Sequence, residues 1–127
     1  MAEVKILVVD DESDFATTLS ERLELRGFAA KAVSGAEEGM ALLASGWRPN
    51  VVLLDLMMPG IDGLAALDLF KRHDPKLQVI ILTGHGSTES GILGMKRGLF
   101  DYLMKPVDIG ELVEKIRQAS EVAASGG

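Results

Sequence analysis

Residues 51–56, VVLLDL, form an almost unbroken apolar run carrying a single acid, Asp55, near its end. A short run without polar alternation fits a strand covered on both faces. Residues 5–10 (KILVVD) and 78–83 (QVIILT) read the same way, and residues 102–105 (YLMK) are a shorter version. Residues 29–34 (AAKAVS) are the weakest strand pattern and belong nearer an edge. Between these runs lie segments of helical period, about 14–26, 35–45, 63–73, 87–97 and 109–122. Five strand–helix alternations imply an α/β domain, (βα)5, with right-handed crossovers and a parallel sheet covered by helices on both faces.

The boundaries carry local chemistry. Ser34 with Glu37, and Asp108 with Glu111, have capping-box spacing at helix starts. Gly27 and Gly98 suit the left-handed residue just past a helix end. Pro49-Asn50 and Asp74-Pro75 are turns leading into strands. His73 reads as a solvated helix end whose partial charge complements the helix dipole. The domain covers residues 1–122, and residues 123–127 (AASGG) read as a flexible tail or the start of a linker.

A chain of 127 residues can bury a core as one domain without disulfides or a structural metal. It has no cysteine, which excludes thiolate metal sites and cysteine nucleophiles and fits a reducing cytoplasm. The first residues, MAEVKILVVDDES, do not read as a signal peptide, because the apolar run is short and ends in acids. No apolar stretch approaches the roughly 20 residues of a membrane-spanning helix. The net charge of −6 argues against direct nucleic-acid binding, which needs clustered cations. Lys71-Arg72 and Lys96-Arg97 are the paired basic residues and read as solvated helix faces.

The polar residues collect where ligands bind in open α/β sheets, outside the carboxyl ends of the strands. Asp10 and Asp11 close the first strand, Asp55 lies near the end of the third, Thr83 ends the fourth and Lys105-Pro106 ends the fifth. Three carboxylates in one cleft repel, and Lys105 supplies only one compensating charge. A Mg2+ ion neutralises the remainder and suits hard oxygen ligands. Such an ion also polarises a phosphoryl oxygen, and a carboxylate is an adequate nucleophile for phosphorus when charge and in-line positioning are supplied.

The segments ILVVDDE, VVLLDLMMPGIDG, VIILTGHG and FDYLMKP, in this order and at these separations, resemble the receiver domains of two-component response regulators. The likeness covers about residues 4–122. It implies a flavodoxin-like doubly wound sheet of order 2-1-3-4-5 and a phosphoacceptor signalling switch, not an enzyme with a separate substrate. By resemblance, Asp55 takes the phosphoryl group, Asp11 binds Mg2+ directly, Asp10 largely through water, and Met57 through its backbone carbonyl. Thr83 would bond the phosphoryl group, Lys105 would pair with it, Tyr102 would be the switch aromatic, and the bond before Pro106 would be cis. His85, two residues beyond Thr83, is either loop filler or a control on water reaching the acyl phosphate.

The implied phosphodonor is a sensor histidine kinase or a histidine-phosphotransfer protein. Such donors meet receivers around the first helix, where Ala16, Leu19 and Leu23 form the core stripe and Phe15, Thr18 and Arg22 its edge. Phe15 is either part of that docking edge or peripheral core. The fourth helix is expected to be the loosest element, because Gly91 and Gly94 fall inside it. Thr88, Gly91, Ile92, Met95 and Leu99 would face the sheet, and Leu93 would join a surface for an output partner or a second protomer formed with the fifth strand and fifth helix. No DNA-binding or catalytic segment follows the fifth helix, so the chain reads as a single-domain regulator or a piece of a longer one.

Two other functions use similar parts. An aspartyl-phosphate hydrolase of the haloacid dehalogenase type would show DxDx[TV] after its first strand, whereas DDES stands here and Asp55 is followed by LMMPG. A flavodoxin-like FMN carrier would place a Ser/Thr-rich loop where Asp11, Glu12 and Asp14 would repel a phosphate. The absence of GxxxxGK[ST] excludes a P-loop nucleotide hydrolase.

Overall fold

The computed structural model describes residues 3–55, 63–83 and 95–124. Along the chain run β1 (Lys5–Val9), α1 (Ser13–Leu25), β2 (Ala29–Val33), α2 (Ala36–Ala44), β3 (Val51–Asp55), α3 (Gly63–His73), β4 (Gln78–Thr83), β5 (Asp101–Met104) and a C-terminal helix (Ile109–Ala124). The five strands are parallel, in the order β2-β1-β3-β4-β5.

Burial follows strand position. β3 and β4 are buried throughout, as their unbroken apolar sequences require, whereas β2 and β5 at the two edges are half-exposed. Alternate residues of the central strands feed two cores. Ile6, Val8, Leu53, Ile80 and Leu82 pack with Ala16, Leu19 and Leu23 of α1 and with Leu112, Ile116 and Ala119 of the C-terminal helix. Leu7, Val9, Val52, Leu54, Val79 and Ile81 pack with α2 and with Ala66, Leu67 and Phe70 of α3. The period-2 side-chain alternation of a strand thus places one layer of helices on each face.

Connections at the amino ends of the strands are pinned by polar groups. The Asn50 side-chain oxygen accepts from the Lys5 N–H at 2.8 Å, its N–H donates to the Lys5 carbonyl at 2.8 Å, and its carbonyl accepts from Gln78 at 3.1 Å. Asn50 therefore ties β3 to the starts of β1 and β4. Gly27 and Gly98 take φ of 92° and 94°, as helix-end residues in the left-handed region. Asp108 accepts from the Glu111 N–H at 3.1 Å, a helix cap.

Several expectations need correction. The Ser34–Glu37 capping box is absent: α2 begins at Ala36 with Gly35 as its N-cap, so Ser34 lies one residue too early and its hydroxyl donates to the Glu38 carboxylate instead of capping with Glu37. β5 runs from Asp101 to Met104, one residue earlier than the sequence pattern, because Asp101 pairs with Ile80. Lys71 is only partly solvated; it donates to the Pro75 and Leu77 carbonyls at 3.0 and 2.8 Å. Burial, only partly offset by the charge of Asp74, pulls its pKa down. Met95 is 49% exposed rather than turned to the sheet, whereas Leu99 is buried. The left-handed Gly98 breaks the helical phase between them. The rest of the expected fourth helix, Met57 and His85 lie outside the described residues. The C-terminal helix continues to Ala124, into the stretch read as a tail.

Candidate functional site

Parallel strands bring their carboxyl ends to one edge of the sheet, and β1, β3, β4 and β5 deliver the polar residues there. Asp10 follows β1 and is held by its N–H, which donates to the Val33 carbonyl at 3.1 Å. Asp55 is the last residue of β3, and Thr83 the last of β4; both are buried. Asp11, beside Asp10, is exposed. One carboxylate oxygen from each of Asp10, Asp11 and Asp55 lies within 4.8 Å of the others.

Lys105 follows β5, and its N–H donates to the Thr83 carbonyl at 2.8 Å. Its ammonium donates to Asp10 Oδ2 at 2.9 Å and to Glu12 Oε1 at 3.3 Å. The other Asp10 oxygen, Oδ1, accepts from the Glu12 N–H at 2.9 Å. Both oxygens of this buried carboxylate are therefore engaged. Burial pulls the Lys105 pKa down, but the hydrogen bond and charge of Asp10, the charge of Asp55 and the bond to Glu12 outweigh it, and the net shift is upward. The Lys105–Pro106 peptide bond is cis.

Asp10 and Glu12 thus share the Lys105 ammonium, and Asp11 and Asp55 cluster with Asp10 in the same cleft. A cleft of this kind favours cations, since like charges at such distances repel unless neutralised. The donor set is all carboxylate oxygen, which suits a hard divalent ion such as Mg2+ rather than a soft one.

Residues 6–117 match the model of the response regulator receiver domain. The chain belongs to the receiver domain family. Its relatives include the nitrogen assimilation regulatory protein NtrX of Azorhizobium caulinodans, 36% identical over 118 residues covering 91% of this chain and 26% of that protein. The DNA-binding transcriptional regulator NtrC of Salmonella typhimurium is 40% identical over 114 residues, covering 90% of this chain and 24% of that protein. The chain therefore spans about a quarter of the length of these relatives. A CheY-like receiver domain protein of Methanospirillum hungatei superimposes with a TM-score of 0.90 at 28% identity, covering 99% of this chain and 100% of that one.

Receiver domains are phosphoacceptor switches that work with histidine kinases and bind Mg2+ at an acidic cluster, and this receiver has such a cluster in Asp10, Asp11 and Asp55. No helix among its described residues is long and apolar enough to cross a membrane.

Sequence reading missed two neighbours of Lys105. Glu12 shares the ammonium with Asp10, and the Phe15 ring lies with its centroid 4.2 Å from Lys105 Nζ. Glu12 could be read only as a third acid after β1, and Phe15 only as an apolar residue on the edge of α1. Tyr102 on β5 is half-buried and packs against the core cluster on the α2–α3 face of the sheet. Phe15, Thr18, Arg22, Pro106, Val107 and Ile109 line a groove of about 250 Å³ beside the site.

Proposed function

We propose that Asp55 is the phosphoacceptor of this receiver and that Asp10, Asp11 and the backbone carbonyl of Met57 hold Mg2+ beside it. The observation that carries this reading is the convergence of the Asp10, Asp11 and Asp55 carboxylates within 4.8 Å, with the Lys105 ammonium at the same cleft. Asp10 has both oxygens engaged, which supports a water-mediated role for it, while exposed Asp11 suits direct ligation. When bound, the ion neutralises the carboxylates and polarises the phosphoryl oxygens.

An Asp55 oxygen attacks phosphorus in line. The O–P bond forms as the P–N bond of a donor phosphohistidine breaks, and the electron pair leaves with the imidazole. Lys105 pairs with one phosphoryl oxygen and the Thr83 hydroxyl donates to another. Thr83 and Tyr102 then carry the switch to the face of β5 and the C-terminal helix, where Met104 is half-exposed, and to the segment expected to form the fourth helix. The domain assists its own phosphorylation and slow dephosphorylation and is otherwise not an enzyme.

The donor is a sensor histidine kinase or a histidine-phosphotransfer protein, docking at the groove beside Phe15. The switched face meets an output partner or a second copy. The domain works in the cytoplasm without binding nucleic acid directly, and it extends to the end of the C-terminal helix at Ala124. Incubation with a small phosphodonor and Mg2+ tests this reading. The mass should rise by one phosphoryl group, and a chelator should abolish the gain. Phosphorylation that is indifferent to Mg2+ would contradict it.

A further inference from the structure

Three groups surround the Lys105 ammonium: the buried Asp10, the rim residue Glu12 and the face of Phe15. They differ in what they ask of it. Asp10 and Glu12 take its N–H donors and so compete with any phosphoryl oxygen that arrives on Asp55. The aromatic face takes none of them. A ring attracts a cation through its quadrupole, leaving the N–H bonds free to turn between acceptors. The ring is itself anchored, because Phe15 packs against the core cluster that includes Ala16, Leu19 and Leu23 on its own helix.

We propose that Phe15 is a positioning residue for Lys105, its ring face holding the ammonium at the cleft while the hydrogen-bond partners of that ammonium change from Asp10 and Glu12 to the phosphoryl group. This rests on the Asp55 reading above and adds to it a residue on α1 that never touches the phosphoryl group. A purely structural Phe15 would be served equally by any apolar side chain of similar size. A positioning Phe15 needs the aromatic face.

Phe15→Leu and Phe15→Tyr separate the two. With a small phosphodonor and Mg2+, so that no protein docking is involved, Phe15→Leu should slow phosphorylation at saturating donor about two- to five-fold, and Phe15→Tyr should restore it. In a Lys105→Met background the same leucine substitution should have no further effect. A second readout needs no phosphodonor: the Lys105 ε-methylene protons, shifted upfield by the ring in the wild type, should move downfield in Phe15→Leu and stay in Phe15→Tyr. Wild-type rates and unmoved protons in Phe15→Leu would overturn the proposal, as would equal slowing by leucine with and without Lys105. Failure of the site reading is seen separately, as a phosphoryl gain that survives Asp55→Asn, and it would take the proposal with it.

Discussion

The Lys105 ammonium donates to Asp10 at 2.9 Å, joining two residues 95 positions apart. Lys105 has a side chain 15% exposed and Asp10 one 3% exposed, so removing the cation strands a buried carboxylate. Lys105→Met should therefore lower stability in metal-free buffer by about 1–3 kcal/mol, less than the loss for a fully buried pair. Denaturant titration checks this. Mg2+ should recover more stability in the variant than in the wild type, because the ion supplies the positive charge that Lys105 supplied to Asp10. Wild-type stability in Lys105→Met would mean the pair contributes nothing.

Asp11 is the exposed member of the carboxylate cluster, so its neutralisation leaves the core intact. Asp11→Asn should raise the melting temperature without metal, by relieving repulsion, and should reduce the gain on adding Mg2+. For the wild type that gain is about 2.7 kcal/mol at a hundredfold excess over Kd. Thermal melts of both proteins with Mg2+ and with chelator give the comparison; an equal Mg2+ gain would remove Asp11 from the ligand set.

Asn50 accepts from the Lys5 N–H at 2.8 Å and so joins β3 to β1 through its side chain. Asn50→Ala should cost about 1–2 kcal/mol, and Asn50→Asp, which keeps the acceptor, should cost less. Urea unfolding of the two variants distinguishes the hydrogen bond from a general intolerance of substitution.

Gly39 lies inside α2, where alanine would ordinarily stabilise by about 0.5–1 kcal/mol. A Cβ there would meet the Phe70 ring at 3.0 Å, and Phe70 is fully buried. Gly39→Ala should instead destabilise by about 1–3 kcal/mol. Phe70→Leu in the same chain should make the alanine better tolerated, measured as a double-mutant cycle of unfolding free energies.

Lys115 donates to Asp101 at 2.8 Å, and that hydrogen bond and charge hold its pKa above the ordinary 10.5. A raised lysine contributes stability that is full below 10.5 and is lost as pH rises through the raised value. The difference in melting temperature between wild type and Asp101→Asn should therefore be constant from neutral pH up to about 10.5 and shrink above it. A difference that grows with alkalinity would show the opposite sign of coupling.

Much of this architecture is legible in particular residues. QVIILT gives β4 to the residue, because a strand buried on both faces needs an unbroken apolar run. Asp10, Asp55, Thr83 and Lys105 could be placed at one edge because parallel strands end together. What was not legible depends on distances across the chain. Glu12 and Phe15 meet Lys105 only through the fold, and no local pattern pairs residues some ninety positions apart. Ser34 has the chemistry of a cap but sits one residue before the N-cap, a phase that a single extra turn residue decides. Lys71 looks like any surface lysine until the α3–β4 turn presents its carbonyls to it.

The most direct measurement is the intact mass of wild type and Asp55→Asn after incubation with a small phosphodonor and Mg2+. The account predicts one added phosphoryl group on the wild type, lost with chelator, and none on Asp55→Asn. An equal gain on Asp55→Asn would contradict it.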